Sequence, residues 1–451
     1  MAEPSPRLSV AVKGRPVATL FRERDNYLLQ YLGKANDFVS LTMPVRATPW
    51  AWPRDLHPFF RQNLPEGYLL QILREVFGPA LDGTDLSLLG LVGSRGIGRV
   101  TIVPEGASSP LPAEPLDFSA LLHTDFNAAH FDSLVRRYAC SAVSGVVPKF
   151  LAPNETHQPH GRATLRTAKY IVKGSTQHPY LALNEHYSLR VLSRIGKVPV
   201  VRTRLSDDGQ TLLVERFDVD DEGTPTHGVE DACSLLGRPP HEKYAPSMEE
   251  VLKATTAYLP SAQQRAQIKT LAYQILANFL IRNADCHAKN IALYYTSLDD
   301  VAYAPAYAMV TTQAYDGFRD HTPGLTIAGR KSWVPGKALP MFFSARLGIP
   351  NREYRDMLAE LCDSVVSTAN ELQALAAQNP AWRDIVKNML WAWDRGMRDM
   401  GASESTASLA PIIKQAGFSD YEPPGPLHRT GESPLLGRRR SSPRVRKRTR
   451  I

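Results

Sequence analysis

Apolar and polar positions alternate from residue 8 to residue 20, LSVAVKGRPVATL, around a Lys-Gly-Arg-Pro turn, which predicts a β-hairpin. Short aromatic and aliphatic strands are expected to continue over 27–44, ended by Met43-Pro44. From Pro58 the period changes. PFFRQNLPEGYLLQILREVFG carries Leu69, Leu70, Ile72, Leu73 and Val76 at helical spacing, with Gly78-Pro79 as its stop. Residues 1–110 therefore read as a small α+β module, and the Pro-rich stretch 104–116 marks its boundary. A second segment, 111–240, sets the β-branched runs KYIVKG and TLLVERFDV on either side of a helix over NEHYSLRVLSRIGK, which Gly196 ends. Beyond about 245 the pattern is helical: QIKTLAYQILANFLIRN, REYRDMLAELCDSVVSTANELQALAAQ and AWRDIVKNMLWAWDRGMRDM all have the 3.6-residue period. The expected architecture is α+β and two-lobed, a β-rich half joined by an ERFD segment to a helical half (241–415), with a cleft at the joint. Clefts between lobes are where ligands sit.

Composition changes this picture little. The hydrophobic fraction of 43% and charged fraction of 22% are ordinary for a globular protein of two or three domains. No apolar run reaches the length of a membrane span, and the N-terminus lacks a leader pattern, so a cytosolic protein is expected. Cys140, Cys233, Cys286 and Cys362 lie far apart without a CxxC pair and read as reduced thiols, mostly core. The net charge of +8 is local. Eight of the 53 Lys and Arg residues lie between Arg438 and Ile451, and the remainder balances the 45 acids. Residues 416–451 have the composition of a disordered basic arm, either solvated without a partner or binding nucleic-acid phosphates or an acidic protein surface.

Candidate chemistry falls into four pieces. Ser141 to Lys149, SAVSGVVPK, is a small-residue loop in which Gly145 and its neighbours offer backbone N–H groups to phosphates and Lys149 adds charge, although one glycine among valines is more often a turn. Lys173 ends an apolar strand. Such a lysine usually only reaches for solvent, but in kinases it meets the α and β phosphates, and Glu185 on the next helix can pair with it. Glu215, Arg216 and Phe217 lie on the lobe-joining strand, where backbone groups and an aromatic ring suit an adenine. The fourth piece is the specific one. In Arg282 to Asn290, RNADCHAKN, Asp285 and Asn290 sit five apart, the spacing of a kinase base and its magnesium-binding amide, with His287 and Lys289 to steady phosphates or loop. Zinc at Asp285, Cys286 and His287 is excluded, because adjacent residues cannot surround one tetrahedral ion. Gly93 to Gly98 lacks the Lys-Ser of a phosphate loop and reads as a strand-to-strand turn.

Taken together these residues resemble the HipA-like serine/threonine kinases, toxins of bacterial toxin–antitoxin pairs. The match runs to about residue 400, through Asn63-Leu64-Pro65-Glu66-Gly67, the loop ending at Lys149, ERFD at 215–218, Glu230-Asp231-Ala232-Cys233, Lys243-Tyr244, NADCHAKN and Pro305 to Val310. The resemblance implies a protein-kinase-like fold with a small N-terminal subdomain that contacts the antitoxin and an all-helical C-terminal lobe. It implies ATP at Ser144, Gly145, Val146, Val147, Pro148, Lys149, Lys173, Glu215, Arg216, Phe217, His287, Lys289, Asn290 and Tyr307, with Asp285 as catalytic base. Magnesium would be held by Asn290 and by position 308. Autophosphorylation of the Gly-containing loop would fall on Ser144, with Ser141 the weaker candidate. Further implied are a cytoplasmic location in a bacterium, an aminoacyl-tRNA synthetase as target, growth arrest, and a HipB-like helix-turn-helix antitoxin on operator DNA. The family pattern asks for Asp at 308, and this chain has Ala308. A methyl group cannot ligate magnesium, so the chain as it stands is expected to be inactive. Retention of Lys173, Asp285 and Asn290 fits a single Asp-to-Ala change, made so that the protein can be produced. The alternative is a natural pseudokinase that binds antitoxin and supports repression at the operator.

Overall fold

Lys13 and Gly14 both have positive φ, 48° and 75°, the left-handed pair that a two-residue hairpin turn requires. The turn joins β1 (Leu8–Val12) to β2 (Arg15–Glu23), and β3 (Asn26–Tyr31), β4 (Trp50–Pro53) and β5 (Val100–Pro104) complete an antiparallel sheet in the order β4-β3-β2-β1-β5. The protein is described here from a computed structural model over residues 6–65, 67–78, 81–107, 116–141, 163–175, 178–401 and 408–418. Between β3 and β4 the expected run of strands is a loop, bound to the sheet by Tyr31, whose hydroxyl accepts from Val39 N (2.8 Å) and donates to Met43 O (2.5 Å).

The single helix expected from Pro58 is two. Helix α1 (Pro58–Arg61) and α2 (Gly67–Phe77) flank Pro65, which has no N–H to donate and holds the residue before it extended. The Gly93–Gly98 segment also differs from expectation: it leads out of α3 (Asp85–Val92) through a 3₁₀ turn into β5, so it is a helix-to-strand connection. Gly98, at φ 98°, is needed there, since a Cβ would lie 3.3 Å from Val229 N.

After α4 (Phe118–His123) and α5 (Ala128–Ser141), a second sheet is built from β6 (Ala163–Arg166), β7 (Tyr170–Gly174), β8 (Thr203–Leu205) and β9 (Thr211–Glu215), with α6 (Leu181–Ser193) between β7 and β8. The third part is helical with one departure from the all-helical lobe expected. A small sheet of β10 (Gly228–Asp231), β11 (Ala292–Tyr295) and β12 (Val301–Tyr303) lies among α7 (Ala232–Leu235), α8 (Met248–Thr256), α9 (Gln264–Leu280), α10 (Ala338–Arg346), α11 (Asn351–Gln378), α12 (Arg383–Asp399) and α13 (Ala410–Gln415). No helix of the described residues is long and apolar enough to cross a membrane. Cys233, Cys286 and Cys362 are reduced and buried, as expected of core thiols.

Two apolar cores form. One fills the first module and reaches Val172 and Leu213 of the second sheet, and the other runs from α6 through the helical part. Buried polar groups close the seam between the parts. Gln62 bonds Val229 O (2.9 Å) and Asp231 N (3.1 Å), and Arg99 donates to Thr296 O (2.6 Å). Glu230, fully buried, accepts from Ser40 Oγ (3.0 Å), Leu41 N (2.5 Å) and Tyr295 Oη (2.7 Å).

Burial outweighs these donors and pushes the Glu230 carboxyl up from 4.5 to about 7. A folded pKa above the unfolded one costs nothing below pH 4.5, where both states are protonated. As pH rises the unfolded chain ionises first, so this group destabilises the fold increasingly, by about 3 kcal/mol above pH 7. Glu230→Gln should remove that slope. Urea midpoints of parent and variant are expected to shift in favour of the variant between pH 4.5 and 8, and a gap independent of pH would contradict the assignment.

Candidate active site

Helix α9 ends in a tight turn because Arg282 adopts a left-handed φ of 60°. Its side chain is buried, pairs with Asp399 of α12, donates to Arg395 O (3.0 Å) and lies over Trp333 (5.0 Å). Burial lowers its guanidinium to about 10, still charged at neutral pH. The next residue closes the helix end: Asn283 bonds Asn278 through backbone (3.0 Å) and side chain (2.7 Å), and its Oδ1 receives Asp285 N (3.1 Å). Asp285 Oδ1 accepts the Tyr244 hydroxyl, and Tyr244 in turn meets His287 edge to face at 5.0 Å. Asn290 turns back on the same loop. Its Oδ1 accepts His287 N (3.1 Å), its N–H donates to His287 O (2.9 Å), and Gln274 holds its carbonyl (3.2 Å). Burial raises the Cys286 thiol to about 12, so it stays protonated and is no thiolate ligand.

The segment after β12 packs against this loop. Tyr307 donates to Lys289 O (2.7 Å) and stacks on Phe217 at 6.1 Å and 23°, joining the lobe-linking strand to the loop. Thr312 Oγ1 donates to Arg282 O (2.8 Å) and accepts from Ala284 N (2.8 Å). Gly324 also lies against the loop, close enough that a Cβ would stand 2.3 Å from Cys286 O.

In the second sheet, Lys173 on β7 makes an ion pair with the buried Glu185 of α6. The residue before that glutamate fixes the helix. Asn184 Nδ2 donates to Thr311 O (3.0 Å) while its Oδ1 accepts from Thr311 N (2.8 Å), and Ser188 and Trp393 bond Thr311 Oγ1 (3.1 and 2.7 Å). One helix therefore holds the lysine and also the segment of Ala308. Ala308 has φ 52°, left-handed, where Asp, Asn and Gly are far more at home than Ala.

Of the residues expected at the site, Lys173, Phe217, Asp285, His287, Lys289, Asn290, Tyr307 and Ala308 belong to this connected set. Glu215 ends β9 and donates its N–H to Arg202 O (2.9 Å). The Arg216 side chain faces away, pairing with Asp218 (2.5 Å) and reaching Gly96 O (3.3 Å) of the first module, while its N–H bonds Lys169 O (2.8 Å). Ser144 to Lys149 lie outside the described residues, and Ser141 is the last residue of α5. Sequence reasoning assigned no role to Asn184, Thr311, Thr312 or Tyr244. The Asn-Glu pair on α6 and the Thr-Thr pair after Val310 were visible, but which would meet was not.

The profile described as HipA-like C-terminal domain matches residues 141–369, about half the chain, and that described as HipA N-terminal domain matches residues 8–103. Two Sinorhizobium fredii proteins, named as candidate kinases Y4mE and Y4dM, are 28% and 26% identical over 303 and 341 residues. The alignments cover 61% and 68% of this chain and 69% and 78% of those proteins. A Shewanella oneidensis HipA, solved with HipB and its operator DNA as a toxin–antitoxin system, shares the fold. Its TM-score is 0.66 at 18% identity, over 87% of this chain and 97% of that one.

Asn184→Ala should lower unfolding stability by about 2–4 kcal/mol, because it leaves the Thr311 N–H and C=O buried without partners. Denaturant unfolding showing less than ~0.5 kcal/mol would mean that water reaches the segment. Ala308→Gly should raise stability by about 1 kcal/mol by relieving the left-handed strain. An unchanged or lower melting temperature would show that the strain is absent.

Proposed function

The chain belongs to the HipA-like family, with a kinase-like fold, and from that premise we propose that it is built as a serine/threonine protein kinase of a toxin–antitoxin system. What carries the reading is the Lys173–Glu185 ion pair, on a helix whose Asn184 grips the segment adjoining the Asp285–Asn290 loop. ATP is the nucleotide this arrangement suits. Lys173, held by Glu185, would meet the α and β phosphates, with the loop from Ser144 to Lys149 and the side chains of His287 and Lys289 around them. The Phe217 N–H, which has no partner among the described residues, and the Glu215 carbonyl would meet the adenine edge, beside the Phe217–Tyr307 stack.

Asp285 would orient the acceptor hydroxyl and take its proton as the oxygen attacks the γ-phosphorus and the bond to the β-phosphate oxygen breaks. The Tyr244 hydroxyl bonds one carboxylate oxygen and fixes its rotation, which leaves Oδ2 for the acceptor. Magnesium does not fit as well. Asn290 offers an amide oxygen, but Ala308 offers no donor. In this form the chain is accordingly a silenced kinase.

The protein acceptor in this reading is an aminoacyl-tRNA synthetase, whose modification arrests growth, and the chain's own Ser144 or Ser141 is a second acceptor. A HipB-like antitoxin bound to operator DNA is the partner, and the basic tail at 438–451 adds a contact to DNA. Ala308 also favours one other reading, a natural pseudokinase that acts only through antitoxin and operator.

Ala308→Asp separates the two. With ATP and magnesium it should incorporate labelled phosphate into itself at a rate roughly three or more orders of magnitude above the parent. Lys173→Met in the same background should abolish the signal. An Ala308→Asp protein that binds antitoxin but neither labels itself nor arrests growth would leave only the co-repressor reading standing.

A further inference from the structure

From His321 to Arg352 the chain contains no acidic residue and five cations: Arg330, Lys331, Lys337, Arg346 and Arg352. Elsewhere on the same lobe several basic side chains are matched, although Lys253, Arg265, Arg355, Arg383 and Lys414 have no carboxylate partner among the described residues. Arg238, Lys269, Arg319 and Arg398 each pair with a carboxylate. Among the described residues none of the five has such a partner. What sets this stretch apart is that its five cations have no acid between them, in a chain whose body is neutral outside its tail.

That stretch is packed against the candidate active site. Lys331 Nζ donates to Gly324 O (2.7 Å) and Tyr244 O (3.3 Å), and Tyr244 is the residue whose hydroxyl bonds Asp285. Trp333 donates to His321 O (2.6 Å) and carries the Arg282 guanidinium on its ring. Next to this anchor the chain exposes its two most exposed large apolar side chains among the described residues, Val334 at 61% and Met341 at 64%. Lys337, Met341 and Ala345 are exposed at helical spacing at the start of and along α10, so charge and apolar surface share a face.

We infer that the surface of Arg330, Lys331, Val334, Lys337 and Met341 docks an acidic polypeptide segment with apolar side chains, carried by the phosphoacceptor and presenting its hydroxyl to Asp285. The inference rests on the kinase reading and adds the substrate class. Unmatched cations attract carboxylates and set the encounter rate, while Val334 and Met341 favour a polypeptide over nucleic acid, whose contacts are mainly phosphate and stacked base. An acidic segment held by these cations need not compete with nucleotide phosphates for Lys173, whose ammonium is paired with Glu185.

The test uses the full chain and fluorescein-labelled fifteen-residue peptides read by anisotropy. One peptide centres a serine among Glu, Asp and Leu, and its control replaces the acids with Lys. A labelled single-stranded RNA of similar length runs alongside. The acidic peptide should bind at least tenfold more tightly than the basic one, and less so at high salt. Arg330→Glu with Lys337→Glu should weaken it about tenfold, with melting temperature and affinity for a non-hydrolysable ATP analogue unchanged. Val334→Ser with Met341→Ser should weaken it with less salt dependence. Acidic-peptide affinity that survives the charge reversal, or is absent from the parent, overturns the inference while nucleotide binding still supports the kinase reading. RNA binding lost on charge reversal with peptide binding intact overturns it in favour of a nucleic-acid surface. Failure to bind the ATP analogue would instead count against the kinase reading itself.

Discussion

The double hydrogen bond between the Asn184 amide and the Thr311 peptide is the constraint on which the rest of the site depends. Asn184 and Glu185 are adjacent on α6, so fixing one fixes the other, and the Lys173 ammonium is held wherever Glu185 is. From Thr311 the order passes along one residue to Thr312, whose hydroxyl bonds Arg282 O and Ala284 N, three residues and one residue before Asp285. All of this is buried, where a broken pair costs the full desolvation of both groups rather than the small net worth of one hydrogen bond. Helix, loop and the segment after Ala308 are thereby tied together by buried hydrogen bonds.

The first module acts on the same site from behind. Arg216 and Asp218 lie just past β9, on the strand that joins the two lobes, and they bond the backbone of Gly96 and Gly98 in the first module. Phe217, between them in sequence, faces Tyr307 instead. Alternation along an extended segment thus ties one side to the first module and turns the other toward Tyr307. Glu230 repeats the arrangement one strand later, receiving donors from the first module and from β11 at once. The first module is thereby bonded to the segments that lead into the candidate site.

Much of this was legible in the sequence, for identifiable reasons. The Lys13-Gly14 hairpin, the helix ended by Gly196 and the long helices after residue 245 follow from turn chemistry and periodicity, which are local. The Asp285–Asn290 loop stood out through its five-residue spacing, which needs no knowledge of distant contacts. The break at Pro65 could have been read from proline alone, but a strong apolar period on both sides masked it. The small sheet of β11 and β12 was hidden because strands of three and four residues carry too few alternations to register against helical neighbours. Gly93–Gly98 was assigned to a turn between strands because α3, the helix before it, was not recognised, and a glycine-rich pattern does not tell which element precedes it. Asn184, Thr311 and Tyr244 act across 127 and 41 residues of sequence, and no local pattern encodes such a pairing.

Ala308 is where the local and the long-range arguments meet. An alanine alone would not choose a left-handed φ, which disfavours it by about 1–2 kcal/mol, so its neighbours impose that conformation. Two residues before it, Ala306 is bonded on both sides, its N–H to Pro199 O and its carbonyl to Val201 N. Three residues after it, Thr311 is gripped by Asn184. The chain between those clamps is too short to relax. The backbone at 308 therefore keeps a conformation suited to an aspartate or asparagine even though the side chain has no donor. An alanine held in a left-handed conformation keeps a backbone that suits those residues better than its own, and a carboxylate placed there would need no rearrangement of the fold to take it up.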